Sequence, residues 1–537
     1  MMIQPTTMKT GLPKETESLC PECKKTIPAK ILEKNGKVIM EKSCREHGSF
    51  TDTIWSDVGM YLEAEKYTVD GVGVENPYIT KDKPVCPADC GLCKIHLTHT
   101  VLANLDLTNR CNLTCPVCFA NANASGYVYE PTFQEVHNMM KVLRAERPVP
   151  CSAIQFSGGE PTIHPEFHKI VKDANVLGFS QVQIATNGLT MAESMDFTQE
   201  TRDAGIHTVY LQFDGTTDEI YRKTRGYDLA DVKRKAVKNI QSTKGGKKMT
   251  ICLVPTVVNG VNDHDLGNIL RYAVDNCDVV HAVNYQPVAF SGRISKKDLA
   301  KNRFTLPDLV NRLQEQFGIL KPEDYYAVPA MSFLSELISL LKGKPRITFS
   351  THPHCGIGTF IFVDKDKNIY PITRFVKVKQ LLKDAREASE KISGARIKTL
   401  AKAKVATKFL RFSKHYVIKE NLPRGVDIDE IIKPLFQHGD KKALAKFTWR
   451  AIMVGGMHFQ DGYNYDIERV RRCCIHYVVP DGRIIPFCAY NSGPTYREQI
   501  ESKFSVPVKE WLERNPGRGL VEPSAILKGR RPGAAEK

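Results

Sequence analysis

Two cysteine trios with identical spacing stand close together within residues 85–119. The spacing C-x3-C-x2-C occurs at Cys86, Cys90 and Cys93 and again at Cys111, Cys115 and Cys118. Three thiolates occupy three corners of a [4Fe–4S] cube and leave its fourth iron open to another ligand. Each trio therefore predicts an iron–sulfur cluster. Zinc completed by a fourth ligand from elsewhere is the alternative for either trio.

The other cysteines fall into two further groups and three isolated positions. Cys20 and Cys23 form a knuckle typical of a zinc ribbon or rubredoxin, and Cys44 with His47 would supply its second half. If His47 is a ligand, zinc is as good a candidate as iron. The late group consists of Cys355, Cys473, Cys474 and Cys488. Adjacent side chains diverge, so Cys473 and Cys474 need not both bind one metal centre. The isolated cysteines are Cys151, Cys252 and Cys277, which we interpret as core residues.

The elements that must position the second trio alternate between apolar strands and amphipathic helical segments. Six strands are predicted, over residues 101–107, 152–157, 181–186, 207–213, 251–256 and 279–286. This alternation predicts an α/β fold with a parallel sheet, open or rolled into a partial (β/α)6 barrel. Polar or glycine-rich motifs follow the first four strands: TNRCNLTC, GGEP, NG and DG. Because ligands bind at the C-terminal ends of parallel strands, these motifs predict one shared site.

We divide the 537 residues into three regions. Residues 1–98 form a metal-binding region, 99–325 the α/β core, and 326–537 a C-terminal α+β region. Residues 350–376 and 473–490 both have the pattern strand, acidic turn, strand, proline, and we interpret them as related hairpins that carry metal ligands. The segment 391–419 is rich in lysine and arginine. Its apolar residues recur at helical spacing, at Ile397, Ala401, Val405, Phe409 and Phe412. It predicts a basic amphipathic helix, either on a membrane surface or packed on its own domain.

Composition narrows the cellular context. No secretory signal and no run of about 18–20 apolar residues is present, so we expect a cytoplasmic protein. The formal net charge of +16 indicates an acidic partner. Nucleic acid, an anionic membrane surface and a phosphorylated small molecule all fit this charge.

Taken together, the motifs of the core resemble those of the radical S-adenosylmethionine (SAM) enzymes. The match consists of CNLTCPVCF after a strand, then SGGEP, ATNG and QFDG. The resemblance implies that Cys111, Cys115 and Cys118 hold a [4Fe–4S] cluster whose open iron binds the amino and carboxylate groups of SAM. It assigns SAM contacts to Phe119, Gly158, Gly159, Glu160, Asn187, Gln212 and Asp214. Phe119 would lie near the adenine, and the GGE residues would meet the methionine amino group. The residue that guides the substrate radical is not identified.

The layout of the whole chain resembles the tetraether lipid synthases, radical SAM enzymes that join the terminal methyl carbons of isoprenoid lipid chains. This resemblance implies three [4Fe–4S] clusters and one mononuclear iron. Cys86, Cys90 and Cys93 would hold a second cluster, with His96 near enough to be considered as its fourth ligand. The late group, Cys355 to Cys488, would hold a third. The implied partners are an isoprenoid phospholipid, the anionic membrane surface and a low-potential electron donor, and no nucleic acid.

Two other functions compete with lipid coupling. One is radical methylation of a pterin-type precursor, which requires neither a basic membrane helix nor a long apolar tunnel. The other is a non-catalytic metal protein that binds nucleic acid, which leaves GGEP, ATNG and QFDG unexplained. The shape of the cavity separates the first two. A narrow apolar tunnel favours a lipid, whereas a compact pocket with polar and acidic groups argues against one.

Overall fold

Six parallel strands form the centre of the fold and follow one another across the sheet in sequence order. The computed structural model describes residues 2–246, 248–294, 299–423, 451–493 and 496–531. Numbered first to sixth, the six core strands are Leu102–Thr108, Ala153–Gly158, Gln181–Thr186, Thr208–Gln212, Thr250–Val254 and Val280–Pro287. Each lies within two residues of its predicted position. The predicted α/β fold with a parallel sheet is therefore confirmed.

Helices cover the outer face of this sheet because their apolar residues recur every three or four positions. Helix Phe133–Ala145 is an example: Val136, Met139, Met140 and Leu143 are buried, and Thr132 with Glu135 forms a capping box at its N-terminus. The other helices of the core are Phe167–Val176, Leu189–Glu193, Met195–Ala204, Asp218–Arg225, Ala230–Ser242, Leu266–Asp275, Leu299–Asn302 and Leu306–Phe317.

Strands from the C-terminal region extend the same sheet at both ends. Ala451–Met457 pairs in parallel with the sixth core strand and antiparallel with Gly356–Val363. At the opposite end, Ile475–Val478 pairs in parallel with the first core strand. The two predicted hairpins are present: Gly356–Val363 turns into Ile369–Pro371, and Ile475–Val478 turns into Ile484–Pro486. The late cysteines are thereby carried to the edge of the core sheet.

The N-terminal region is a four-stranded antiparallel ribbon. Its strands are Lys14–Leu19, Thr26–Lys34, Lys37–Cys44 and Gly48–Trp55. A buried guanidinium fastens the ribbon to the rest of the protein, because Arg303 is paired with Asp52 of the ribbon and with Asp461 of the C-terminal region. Shorter strands pair Ile3–Gln4 with Asp70–Gly71, Tyr127–Val128 with Val506–Pro507, Thr256–Val257 with the sixth core strand, and Tyr326–Ala327 with Gly356–Val363.

The remaining helices lie before and after the hairpins. They are Val58–Glu65, Met331–Lys342, Ile372–Phe375, Val378–Gly394, Lys398–Leu410, Phe412–Tyr416, Ile467–Arg471, Phe487–Ser492, Tyr496–Lys503 and Val508–Arg514. None of the helices in the described ranges is long and apolar enough to cross a membrane. Residues 424–450 of the predicted C-terminal region lie outside the described residues.

The basic segment 391–419 differs from the prediction of one continuous amphipathic helix. It contains the end of one helix and two shorter ones, and the longer of these is Lys398–Leu410. Phe409 is fully buried, and Ala401 and Val405 pack against the same apolar cluster of the C-terminal region, whereas Ile397 is exposed. The side chain of Phe412 lies outside the described residues. Most of the apolar face is thus covered by the protein itself.

Candidate active site and metal centres

The second cysteine trio lines a cavity of about 280 Å3 at the C-terminal ends of the core strands. Cys111, Cys115 and Cys118 contribute to its wall together with Phe119, Gly158, Gly159, Asn187 and Gln212. Burial raises the pKa of the Cys111 and Cys115 thiols above the ordinary value. The four motif-bearing loops therefore meet at one edge of the sheet.

Two glycines let the loop after the second strand run against the segment that leads into the trio. Gly158 has a φ of +128°, a conformation that favours glycine. A Cβ on Gly159 would lie 2.1 Å from the carbonyl oxygen of Arg110. In this close approach the Gly159 N–H donates to the Thr108 carbonyl at 2.7 Å, and the Glu160 N–H donates to the Arg110 carbonyl at 2.9 Å. The contact fixes the glycine loop relative to Cys111.

The carboxylate of Glu160 is buried behind the cavity wall and is held by protein donors. It accepts hydrogen bonds from the hydroxyls of Thr162 and Thr186, each at 2.7 Å, and from the Asn187 N–H at 2.8 Å. Burial raises its pKa. Glu160 was predicted to contact SAM directly. In this geometry it joins the loops after the second and third strands and orients Asn187, which itself lines the cavity.

Lys233 lies behind the cavity wall and hydrogen-bonds to two of the residues that line it. This role was not predicted from the sequence. Its ammonium group is fully buried and donates to the Asn187 carbonyl at 2.6 Å and to Gln212 Oε1 at 2.7 Å. Burial lowers its pKa to about 8. In the sequence this residue is one of several lysines in a basic helical segment, so nothing distinguishes it from a solvated side chain.

Asp214 also lies behind the wall, where it pairs with Arg225. The guanidinium donates to both carboxylate oxygens, with a shortest distance of 2.5 Å, and Gln212 adds a third donor at 2.6 Å. Burial acts to raise the pKa of Asp214, but Arg225 outweighs it, and the net pKa lies below the usual value. Asp214 was predicted to contact SAM. Arg225, which sequence reasoning missed, is the member of this pair that lines the cavity.

The donor set around the trio fits a [4Fe–4S] cluster with an open corner. Three thiols line one cavity, and within the described ranges no further cysteine or histidine lines it with them. The Arg225 guanidinium lies close enough to lower the pKa of the Cys115 thiol against the effect of burial. A cationic group beside three thiols suits the negative charge of a thiolate-bound cluster.

The remainder of the cavity combines polar and aromatic walls. Polar side chains rise from the core strands at Asn104, Gln155, Ser157, Tyr210 and Gln286. Facing them, Phe459 and Phe487 stack with ring centroids 4.0 Å apart, and Phe119, which is 42% exposed, lies 6.1 Å from Phe487. Ser157 donates at 2.7 Å to the buried carboxylate of Asp106. The cavity is compact and is lined by polar groups, and the carboxylate of Asp106 lies directly behind its wall.

The ribbon holds a four-ligand site. Ligand atoms of Cys20, Cys23, Cys44 and His47 all lie within 4.8 Å of one another. His47 Nδ1 is 3.7 Å from Cys20 Sγ and 3.5 Å from Cys44 Sγ, and the Cys23 and Cys44 sulfurs are 3.9 Å apart. A tetrahedral zinc with Zn–S of about 2.3 Å and Zn–N of about 2.0–2.1 Å separates its ligand atoms by roughly 3.5–3.8 Å. The hydrogen bond with His47 lowers the pKa of Cys44 to about 6. This set fits one mononuclear metal.

The first trio does not line the cavity of the second trio, and it packs against the C-terminal region. Cys86, Cys90 and Cys93 are mutually close, and burial raises the pKa of Cys86 to about 12. Tyr496 accepts a hydrogen bond from the Cys90 N–H at 3.1 Å. His96, considered above as a fourth ligand, directs its Nε2 towards the Cys473 carbonyl at 2.9 Å and His476 at 3.1 Å. That ring nitrogen is therefore engaged elsewhere.

The late cysteines gather around a buried arginine. Arg469 Nε donates to Cys355 Sγ at 3.4 Å, and the positive charge of Arg469 acts on Cys488 as well. Among the described residues no carboxylate lies within ion-pair distance of Arg469, so its buried charge calls for an anionic neighbour. Cys473 packs in an apolar cluster with Cys90 and Cys488, whereas Cys474 lies outside that cluster. The two adjacent thiols face different surroundings, and the donor set suits an anionic metal centre.

A larger cavity, of about 1080 Å3, lies between the ribbon and residues 466–471. It shares no lining residue with the cavity of the second trio. Acidic and basic side chains alternate along it, including Glu15, Glu17, Lys30 and Arg471. Because none of the trio's motif residues reaches it, the smaller cavity is the candidate active site.

Family models match two parts of the chain. Residues 105–273 match the model described as the Radical SAM superfamily. Residues 12–56 match the model described as the HMPTM N-terminal zinc ribbon domain. These spans contain the second cysteine trio and the four-ligand ribbon site respectively. The predicted resemblance of the core to radical SAM enzymes is confirmed.

Curated relatives extend the match to nearly the whole chain. The 7,8-dihydro-6-hydroxymethylpterin dimethyltransferase of Methanocaldococcus jannaschii is 44% identical over 502 residues, which cover 93% of this chain and 97% of that protein. A probable GTP 3′,8-cyclase of Methanothermobacter marburgensis is 27% identical over 33% of this chain and 55% of that protein. The crystal structure of Streptococcus suis SuiB bound to S-adenosylmethionine shares 13% identity over 41% of this chain and 47% of that chain, with a TM-score of 0.32. A likeness at this TM-score supports no conclusion.

The prediction of a lipid partner is wrong. The relative that spans nearly the whole chain is named for a pterin substrate, which overturns the expected isoprenoid phospholipid and the expected contact with an anionic membrane surface. The burial of Phe409 and the packing of Ala401 and Val405 supply a physical reason, because the apolar face that suggested a membrane helix is largely used inside the protein. The net charge shows an excess of basic residues but does not identify the molecule that they bind.

Proposed function

The chain belongs to the radical SAM superfamily and to the same family as the M. jannaschii 7,8-dihydro-6-hydroxymethylpterin dimethyltransferase, and from this premise we propose that it methylates a reduced pterin by radical chemistry. The observation that carries the proposal is 44% identity along 97% of that relative. This function is the pterin alternative considered from the sequence, and it replaces the coupling of lipid chains.

The walls of the cavity support a small heteroaromatic substrate. The cavity measures about 280 Å3, and the residues proposed for the cluster and SAM share its wall, so the chemistry of the lining, and not the volume, bears on the substrate. The amides of Asn284 and Gln286 both donate to the Tyr210 hydroxyl, so the hydroxyl proton is free to be donated to a ligand. Phe459 and Phe487 offer a stacked aromatic surface opposite. A pterin presents ring nitrogens and a carbonyl to polar groups and a flat face to aromatic ones.

The proposed roles of the residues follow from their contacts. A [4Fe–4S] cluster held by Cys111, Cys115 and Cys118 would bind SAM and would supply the electron for reductive cleavage of its sulfonium into methionine and a 5′-deoxyadenosyl radical. Asn187 and Gln212 present polar groups to SAM and are held in place by Lys233. Gly158 and Gly159 let the backbone approach the bound molecule closely. Arg225 offers a positive charge beside Cys115.

The other metal sites are proposed on their donor sets. Three thiols and His47 in tetrahedral spacing, within a segment that matches a zinc ribbon model, favour zinc in the ribbon. Two auxiliary [4Fe–4S] clusters are proposed, one at Cys86, Cys90 and Cys93 and the other at the late cysteines around Arg469. The cluster proposed at Cys86, Cys90 and Cys93 has three cysteine ligands, and no fourth ligand is assigned to it.

The test is substrate-dependent cleavage of SAM. The purified protein is reconstituted anaerobically with iron and sulfide and is then mixed with SAM, reductant and 7,8-dihydro-6-hydroxymethylpterin. We expect 5′-deoxyadenosine to accumulate faster with the pterin than without it, and not to accumulate with the Cys115→Ala variant. A diether lipid serves as the comparison substrate. Deoxyadenosine formed with the lipid and not with the pterin would contradict the proposal.

A further inference from the structure

Three arginines are the only charged side chains among the described residues that line the candidate active-site cavity. They are Arg225, Arg293 and Arg497. A guanidinium has five N–H donors and remains charged at any pH that the protein tolerates. The bonds made by those donors distinguish arginines that hold the structure from arginines that are available to a ligand.

Arg225 and Arg497 use nearly all their guanidinium N–H groups in hydrogen bonds to the protein. Arg225 makes four hydrogen bonds, two of them to Asp214. Arg497 makes five, to acceptors that include Asp106 and Glu501. Each of these positive charges is therefore neutralised by a carboxylate behind the cavity wall.

Arg293 differs from both. Its backbone N–H donates to the Cys118 carbonyl at 3.0 Å, which fixes the residue next to the second trio and Phe119. Its Nε is buried without a hydrogen-bond partner, and within the described ranges its guanidinium has no carboxylate within ion-pair distance. A partly buried guanidinium without a counter-charge is costly unless a ligand supplies one.

Gly292 places Arg293 at this position. It has a φ of +64°, and a Cβ on it would lie 2.4 Å from the carbonyl oxygens of both Cys118 and Phe119. The segment after the sixth strand thus lies directly on the residues that end the trio. Ser291 and Ile294 line the cavity beside Arg293. These backbone contacts place the main chain of Arg293 beside the trio, and its half-buried side chain lines the cavity.

We propose that Arg293 binds an anionic phosphate or pyrophosphate ester on the substrate. The inference rests on the proposed function, in which the substrate carries a hydroxymethyl group that can bear such an ester. Guanidinium and phosphate form paired, charge-assisted hydrogen bonds. The methionine carboxylate of SAM is the other anion expected in the site, and the SAM affinity of an Arg293 variant distinguishes that anion from a phosphate ester. Arg293 then selects the esterified pterin over the free alcohol.

The kinetic test compares the two substrates in the reconstituted holoenzyme. For the wild type we expect a lower KM for the pyrophosphate ester of 6-hydroxymethyl-7,8-dihydropterin than for the free alcohol. In Arg293→Gln the KM for the ester should rise at least tenfold, with kcat, the KM for the alcohol and the Kd for SAM little changed. Arg293→Lys should give an intermediate KM. Arg386→Gln, which alters an exposed arginine on Val378–Gly394, is the matched control.

A binding measurement separates failure of this inference from failure of the proposed function. Calorimetric titration of the SAM-bound holoenzyme with inorganic pyrophosphate requires no turnover. We expect binding to the wild type and at least tenfold weaker binding to Arg293→Gln. Equal binding by the two proteins, equal KM values of the wild type for ester and alcohol, or a loss of SAM affinity in Arg293→Gln would overturn the inference. Absence of a methylated product from both pterins would overturn the proposed function, and the pyrophosphate titration would still decide the role of Arg293.

Discussion

The carboxylate of Asp214 is bound by the guanidinium of Arg225, with Oδ2 and Nε 2.5 Å apart. Asp214 follows the fourth strand, and Arg225 ends the next helix. Both are buried, but only Arg225 lines the cavity. The acidic residue of the QFDG motif is therefore paired with an arginine that lies beside Cys115 and lines the cavity.

Loss of this carboxylate should weaken SAM binding by releasing Arg225. In Asp214→Asn a buried cation loses its counter-charge, a change that costs about 3–5 kcal/mol. We expect a lower melting temperature and at least a tenfold higher Kd for SAM, measured by equilibrium dialysis of the reconstituted protein. Asp231→Asn, which breaks an exposed pair with Arg234, is the control and should change neither quantity. A SAM affinity unchanged in Asp214→Asn would show that the pair has no part in the site.

Lys233 should matter for SAM binding more than for stability. Lys233→Met removes two hydrogen bonds to the rim, each worth about 0.5–1.5 kcal/mol, and also removes a buried charge. Losing the hydrogen bonds lowers stability and removing the buried charge raises it, so the two effects oppose each other. The cavity wall, however, loses the hydrogen bonds that hold Asn187 and Gln212. We expect a roughly tenfold higher Kd for SAM with a melting temperature near that of the wild type. Lys238→Met, at an exposed position on the same helix, should leave the Kd unchanged. Equal Kd values for the two variants would exclude this role.

The buried carboxyl of Glu146 should make the protein less stable at alkaline pH. Burial raises its pKa to about 7, and it accepts a hydrogen bond from the Thr100 N–H at 2.8 Å. Since the pKa in the unfolded chain is near 4.3, the stability linked to its protonation is present below about pH 4 and is lost as the pH rises through 7. The loss amounts to about 4 kcal/mol.

Glu146→Gln removes the pH dependence of stability that is linked to the Glu146 carboxyl, and it keeps an oxygen that accepts the hydrogen bond from the Thr100 N–H. We expect a melting temperature several degrees above the wild type at pH 8 and little different at pH 5, measured by circular dichroism. The exposed Glu323→Gln is the control and should follow the wild type at both pH values. A destabilised Glu146→Gln at pH 8 would mean that the carboxylate is stabilised by interactions beyond the one with Thr100.

The ribbon should bind one zinc ion through His47. His47→Ala removes one of four ligands, so we expect zinc that is released readily to a chelator, measured with a colorimetric zinc indicator after purification. The wild type should retain one zinc per chain under the same conditions. His264→Ala, at an exposed histidine, should retain it as well. Iron in place of zinc would contradict the proposed metal, and zinc retention unaffected in His47→Ala would rule out His47 as a ligand.

Local patterns predicted the core strands and the gathering of their motifs, because both depend on neighbouring residues. The roles of Glu160 and Asp214 could not be predicted, since they are decided by partners brought together from other strands and helices. Lys233, Arg225 and Arg293 resemble ordinary basic surface residues until their burial is known. The pairing of Ile475–Val478 with the first strand joins residues far apart in sequence, and no local pattern reports it.

Charge and cysteine layout led to the wrong partner for a similar reason. A net charge of +16 indicates an acidic partner but does not distinguish a membrane from a phosphorylated small molecule. The basic segment had the spacing of an amphipathic helix, and only the burial of Phe409 shows that this side of the segment packs inside the protein. The cysteine groups were predicted from their spacing, whereas the contacts between them required the fold.

The most direct test of the central claim is the identity of the pterins in a bacterial host that makes 6-hydroxymethylpterins and expresses this protein anaerobically. We predict that mass spectrometry of extracts detects pterins carrying two additional methyl groups with the wild type and none with Cys115→Ala. Suppose instead that the pterins are the same in the host that expresses the wild type and in the host that expresses Cys115→Ala. If the purified wild-type protein still cleaves SAM, that result would contradict the account.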